Sequence, residues 1–288
     1  NVTIKGLNPG MRSNIDVNGI NDLLGPGGGS KLVARNAEAA IKVETGMKGV
    51  KIMNLMVSGG TEAKNIGIHF AGATDNGMLS NIIGINLHTG VKIEQAKNMQ
   101  IVNCWVCELP NSIELIGGEN IVVKNCQLGA QPTGITCKVQ EVNKLSFINN
   151  QVYPDGRENL VLDACNNCVI EGNNFKSYYN GILVLNGNDN TVNKNIFWLT
   201  GAVQNQLLDH GDDFGIINVK GNNNMVASNS LSCEWAYAGA VTVNAVQGTG
   251  NVFKNCFVDN LESYRVFLVN AQTEVSNCVS SDKVSIVE

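Results

Sequence analysis

A short phrase built around asparagine recurs about ten times along the chain, each copy set between a β-branched residue and another apolar one. It reads Ile101-Val102-Asn103-Cys104, Val123-Lys124-Asn125-Cys126, Phe147-Ile148-Asn149-Asn150 and Ile170-Glu171-Gly172-Asn173. It continues as Val192-Asn193-Lys194-Asn195, Val226-Ala227-Ser228-Asn229 and Phe253-Lys254-Asn255-Cys256. Measured at the fourth residue, the steps are 22, 24, 23, 22, 34 and 27. Strand-like phrases at a period in the low twenties specify a solenoid, in which extra residues within a step must leave the coil as loops.

A second phrase keeps the same beat, as in Gly90-Val91-Lys92-Ile93, Ser112-Ile113-Glu114-Leu115, Gly134-Ile135-Thr136-Cys137, Asn159-Leu160-Val161-Leu162 and Gly181-Ile182-Leu183-Val184. Each coil therefore holds two or three short alternating strands divided by Gly/Asn turns. No stretch carries a sustained helical period, and the Leu-x-x-Leu-x-Leu frame of a leucine-rich repeat is missing. The expected fold class is all-β, a parallel β-helix, with residues 1–288 as one elongated domain and a loop insertion at about 199–214.

With 31 Gly and 5 Pro in 288 residues, composition fits a tightly turned β chain. A formal net charge of −5 without a basic run argues against a nucleic-acid partner. No run of apolar residues is long enough to span a membrane as a helix. The start, Asn1-Val2-Thr3-Ile4-Lys5-Gly6, already reads as strand, which fits a processed secreted chain and a trimmed one equally.

Nine cysteines include two Cys-x-x-Cys pairs, Cys104/Cys107 and Cys165/Cys168, a spacing that also serves zinc. Yet Cys104, Cys126, Cys256 and Cys278 fall on the beat, where a small buried side chain stacks coil on coil. Stacking is the expected role, and neither a metal nor a cofactor is expected. The asparagines read the same way: Asn tolerates tight turns, and its amide can bond the next copy.

Function is expected where the beat breaks. The 34-residue step between Asn195 and Asn229 contains Asp209-His210-Gly211-Asp212-Asp213, three carboxylates and a histidine in five positions. A solvated loop or a contact with another subunit is the plain alternative. Shorter breaks hold Cys233-Glu234-Trp235-Ala236-Tyr237, the segment from Lys97 to Glu114 with Glu108 beside Pro110, and the polar turn Tyr153-Pro154-Asp155-Gly156-Arg157.

From about Ile66 to Asn229 the chain resembles the bacterial inulin fructotransferases, which form difructose anhydride, and their relatives that hydrolyse it. The resemblance is carried by Cys107-Glu108-Leu109-Pro110-Asn111-Ser112-Ile113-Glu114-Leu115, Asn150-Gln151-Val152-Tyr153-Pro154 and Tyr178-Tyr179-Asn180-Gly181-Ile182-Leu183. Asp212-Asp213-Phe214-Gly215, Gly221-Asn222-Asn223-Asn224 and the opening Ile4-Lys5-Gly6-Leu7-Asn8-Pro9-Gly10 add to it. It implies a right-handed parallel β-helix, a secreted homotrimer with sites near subunit boundaries, and a fructan or fructose oligosaccharide as partner. The implied reaction is intramolecular fructosyl transfer. An acid protonates the leaving oxygen while a carboxylate assists the attacking hydroxyl or stabilises the oxocarbenium-like transition state.

The family's catalytic pair resembles an Asp before a strand and a Glu eleven residues later, just after it. Glu108 falls on the glutamate, but Lys97 stands where the aspartate belongs. An ammonium cannot replace an ionised carboxylate. Either Glu94 supplies the missing group, or Asp209, Asp212 or Asp213 does, from the same chain or a neighbouring subunit, or the chemistry is altered or lost. The expected catalytic set is Glu108, Asp212 and Asp213, with Lys97, Glu94, Glu114, Asp209, His210, Arg157 and Tyr178 as sugar contacts. Glu114 stacks by register beside Lys92, so a structural ion pair competes for it. Transfer is the preferred activity; hydrolysis of difructose anhydride and non-catalytic glycan binding are the alternatives. The Asp cluster with nearby Arg or Lys by which β-helical polysaccharide lyases hold Ca²⁺ is not evident.

Overall fold

A computed structural model describes residues 2–7, 30–34, 37–59, 64–200, 213–233, 241–259, 265–279 and 284–287. Within them the chain is entirely strand and turn, and every strand pairing is parallel. Among the described residues no helix is long and apolar enough to cross a membrane.

Each coil has three faces. Face A carries the segments Ile66–Phe70, 89–94, 111–116, 135–140, Glu158–Asp163 and Leu183–Asn186. Face B carries 78–80, 99–102, 121–124, 145–148, Val169–Glu171 and Thr191–Asn193. Face C carries Trp105–Leu109, Gln127–Ala130, Gln151–Val152, Asn174–Ser177 and Ile196–Leu199. Alternation turns one side chain in two toward the axis, so Ile101, Val123, Phe147, Ile170 and Val192 form one buried column. Phe175 stacks on Phe197 with ring centroids 5.0 Å apart, and Phe147 lies 6.0 Å from Phe175.

The recurrent asparagine is the corner between faces B and C. Asn103, Asn125 and Asn149 hold φ between 53° and 56°, the left-handed region that asparagine enters at little cost. The residue after each corner points inward and forms a ladder. Asn150 Nδ2 donates to Asn173 Oδ1 at 3.1 Å, and Asn173 Nδ2 to Asn195 Oδ1 at 2.9 Å. The ladder continues in sulfur at one end, where the Cys104 amide donates to Cys126 Sγ.

The cysteines follow that pattern, as stacking requires. Cys104 and Cys126 are buried in the ladder, whereas Cys107 belongs to a separate apolar cluster on the outside of face C with Met56, Ile83, Ile85 and Trp105. Cys104 and Cys107 therefore leave opposite sides of the sheet and cannot share an ion. Cys165 and Cys168 are neighbours but bond backbone carbonyls. Among the described residues no group of three or more His, Cys, Asp or Glu is arranged to hold a metal.

Candidate active site

The edge where face C turns into face A gathers most of the irregular segments. Backbone hydrogen bonds stack them coil on coil: Asn111 N donates to His88 O, Gln131 N to Leu109 O, Arg157 N to Gly134 O, Tyr178 N to Pro154 O and Thr200 N to Ser177 O. Glu108, Arg157, Tyr178 and Asp213 therefore lie on one edge of the prism, the C–A edge.

Glu108 has the most distinctive backbone there. The sequence places it just after a strand; the structure puts it inside one, next to last in Trp105–Leu109. It reaches φ 64° and its side chain is exposed. Against the next coil, Val106 pairs with Leu128 and Leu109 with Ala130, so Gly129 alone faces both Cys107 and Glu108. Such a two-against-one irregularity bends a strand and re-aims a side chain. On the coil before, the Gly84–Val106 pairing sets Glu108 over Asn86, itself at φ 51°. Gln131 Nε2 holds the Glu108 carbonyl at 3.2 Å, which leaves the carboxyl pointing from a fixed backbone.

Further along the edge, Tyr153 Oη donates to Gln127 Oε1 at 3.1 Å, and Arg157 Nε lies 3.7 Å from Glu158 Oε1. Tyr178 is half-buried beside them in sequence and register. Asp213 takes Arg265 Nη1 on Oδ1 at 2.7 Å, while its carbonyl accepts from Asn244 Nδ2. That pair ties three successive turns together. Asp209, His210 and Asp212 lie outside the described residues, as do Glu234, Trp235, Ala236 and Tyr237.

The remaining candidates are elsewhere. Lys97 lies on the A–B edge, bridged in register to Asp75, and faces Glu119 on the next coil. The face A segment 89–94, roughly 20 Å long, separates that edge from the C–A edge. Lys97 and Glu108 of one chain are therefore not partners. Glu94 belongs to face A, where Lys92 Nζ reaches Glu94 Oε1 at 2.8 Å and His69 Nε2 lies 3.3 Å from Oε2. The Lys92 hydrogen bond, reinforced by His69 and opposed by burial, holds the Glu94 carboxyl below the usual carboxylate range. Glu94 is thus an ion-network residue and does not reach Glu108. Glu114 sits in register with Lys92, as expected, and its own closest cation is Lys138 Nζ at 4.0 Å. Asp213 shares the edge with Glu108 but lies four coils on, roughly 19 Å away.

Sequence reasoning passed over two neighbours of Glu108, His88 one coil before and Gln131 one coil after, and held the exposed Asp155, two coils after, only as part of a polar turn. The beat held the signal, since Pro110 follows His88 by 22 residues. It also passed over Asp75, which occupies the station of Lys97 one coil earlier. Asp75 accepts from Asn98 Nδ2 at 2.9 Å, between the exposed Lys48 and Lys97 and above the buried Thr74.

A family model for the right-handed beta helix region matches residues 133–286. No curated protein sequence matches the chain. Among solved structures, the chain is similar to DFA-IIIase from Arthrobacter chlorophenolicus A6 without its lid, with a TM-score of 0.79, 20% identity, and 99% of this chain and 80% of that chain covered. A mutant of that DFA-IIIase in complex with DFA-III matches at TM-score 0.79 and 20% identity over 99% of this chain and 81% of that one. The DFA-IIIase in complex with GF2 matches at TM-score 0.77 and 20% identity, with 99% and 80% covered. At this identity the likeness establishes the architecture.

Proposed function

The chain belongs to the right-handed β-helix family, and on that premise we propose that it is a fructan-processing enzyme with Glu108 as general acid/base on the C–A edge. One observation carries the catalytic assignment: an exposed carboxyl held in the left-handed region at a register break, on an edge stacked by hydrogen bonds. Residues kept in such backbone conformations cluster at functional sites. The substrate assignment is supported by the motif resemblance and by the sugars DFA-III and GF2 bound in the similar structures.

In the preferred reaction, protonated Glu108 gives its proton to the oxygen leaving the anomeric carbon of a fructose unit. A hydroxyl of the neighbouring fructose attacks that carbon, losing its proton to a second carboxylate, and a cyclic dianhydride departs. Within one chain, Lys97, Glu94 and Asp213 all stand too far from Glu108 for that second role. We assign it to Asp75 of an adjacent subunit, in a homotrimer that sets the A–B edge of one protomer against the C–A edge of the next. Asp75 then fills, one coil displaced, the place vacated by the Asp-to-Lys change at Lys97. A second reaction, hydrolysis of difructose anhydride at the same groove with water as acceptor, is favoured by the DFA-III complex of the similar enzyme.

Incubation with inulin and, separately, with difructose anhydride separates the two. Cyclic dianhydride from inulin supports transfer, and fructose disaccharide from the anhydride supports hydrolysis. No turnover of either, with Glu108→Gln leaving glycan binding unchanged, overturns both.

A further inference from the structure

A hollow lies on the outside of face A, well away from Glu108. It has a volume of ≈ 230 Å³ and runs along the axis across four successive coils. Its floor is Val161 and Val184, paired in register. Its wall is the outward column of Gln140, Asp163 and Asn186, stacked one per coil and continued by Lys220, while Lys138 heads the valine column of the floor. Asn186 Nδ2 donates to Asp163 Oδ1 at 2.7 Å, so the column is ordered and Asp163 keeps a second oxygen for a ligand.

Chemistry narrows the occupant. A peptide adding itself as a strand needs a row of unpaired backbone groups, but here the floor belongs to the middle of a stack whose coils pair on both sides. A nucleic acid needs a basic stripe, and two lysines about three coils apart with a carboxylate between them do not make one. What fits is a linear chain with hydroxyls that donate and accept, and C–H faces to lie on valine. The two amides of the wall can donate and accept, Asp163 accepts and Lys220 donates, so the column as a whole offers both senses of hydrogen bond.

We propose that this column is an oligosaccharide subsite that holds a stretch of the glycan chain along the helix axis, apart from the reacting end. The naming of the sugar as fructan rests on the function proposed above; the groove itself does not. In this reading Gln140, Asp163 and Asn186 contact hydroxyls, and Lys138 and Lys220 mark the ends of the bound stretch.

The test is retention of the full chain on immobilised inulin and on a panel of other neutral and uronic-acid glycans, beside Asp163→Ala and the paired change Gln140→Ala with Asn186→Ala. Melting temperature establishes that each variant is folded, and Val184→Thr, which keeps shape but alters the floor, is a second probe if either fails to fold. The expected result is at least a tenfold weaker hold on long inulin for the groove variants, with turnover of a trisaccharide unchanged. Folded groove variants that retain every glycan as the parent does overturn the subsite, even if inulin is turned over normally. A parent that holds no glycan overturns it as well. If the parent holds a non-fructan glycan and the groove variants lose it, the subsite stands and the fructan function falls.

Discussion

Asn195 passes its side-chain amide to Asn229 Oδ1 at 3.0 Å, although 34 residues separate the two. The bond has the same form as that from Asn173 to Asn195, which spans 22 residues, so the ladder runs on undisturbed across the long step. Asn195 is the middle of that ladder. Its Oδ1 accepts from the backbone and side-chain nitrogens of Asn173, and its Nδ2 also donates to Ile170 O.

Replacing Asn195 by Ala therefore orphans several buried groups at once and is expected to cost about 2–3 kcal/mol, since each unsatisfied buried group costs about 1–3 kcal/mol and the neighbours relax in part. Asn195→Cys is expected to cost less. Cys126 and Cys256 already occupy the same station, where sulfur takes a weak bond from the coil before. Asn195→Asp is expected to be worst, because it buries a charge and removes the donor. Urea melts of the three variants give the order directly. An Asn195→Ala variant as stable as the parent would show that the ladder is ornamental.

Glu108 allows backbone and chemistry to be separated. Its left-handed backbone is shared by Asn86 in the coil below, so Glu108→Asn should fold with an equal or slightly higher melting temperature. The β-branched Glu108→Val should lower it. On activity, Glu108→Asn and Glu108→Gln should both lose roughly 10²- to 10⁴-fold in kcat, the usual contribution of a positioned acid/base. Activity that survives both changes assigns Glu108 to the turn alone.

How far these relationships were legible beforehand depends on how they are written along the chain. The Asn103, Asn125 and Asn149 corners repeat at each coil, so the solenoid and its core column could be read from the phrase itself. The third face is less visible, because segments such as Gln127–Ala130 and Gln151–Val152 are short and carry polar residues outward. The site was legible only in part. Eleven residues is a short interval in sequence but about half a coil in space, and it sends Lys97 and Glu108 to different edges. In a solenoid the neighbours of a residue are one full period away, which is why Asp75 and His88 escaped notice while Glu94 drew it. The ion pair of Asp213 with Arg265 depends on a turn two coils on, and nothing local to Asp213 announces it.

The Lys92–Glu94 pair gives face A a defined pH window. The hydrogen bond to Glu94 raises the Lys92 ammonium above 10.5, so its contribution is complete below that value and is lost as pH rises through the folded pKa. The Glu94 carboxyl is depressed below 4.5, so its contribution is present above that value and is lost as pH falls through the folded pKa. Stability from the pair should be flat between about 4.5 and 10.5, and worth about 1 kcal/mol or less given its partial exposure. Glu94→Gln should lower the melting temperature across that window and converge with the parent in acid. A constant difference down to the lowest pH measured would assign the effect to packing.

Lys97 stands in register between Asp75 and Glu119 on stacked turns of the A–B edge. Lys97→Asp would place three carboxylates in a row one coil apart and should lower the melting temperature, more at low salt than at high salt. Lys97→Ala should change it little. The salt series matters because a loss from distorted backbone would not be screened.

The assignment of Asp75 to the neighbour's site has a sharper consequence. If Glu108 of one protomer works with Asp75 of the next, Glu108→Gln and Asp75→Asn should each abolish turnover, yet mixed assemblies of the two should recover it. In the proposed trimer, co-refolding equal amounts of the two unfolded, inactive variants gives assemblies in which some boundaries carry both wild-type residues. A random mixture should regain about a quarter of the parental activity, because each boundary draws an intact Glu108 and an intact Asp75 independently, each with even odds. Zero recovery, with mass measurements showing mixed trimers, would place both groups within one protomer and make Asp155 the carboxylate to replace next. Two coils from Glu108 on the same edge, roughly 10 Å away, Asp155 is near the separation that leaves room for an attacking water or hydroxyl.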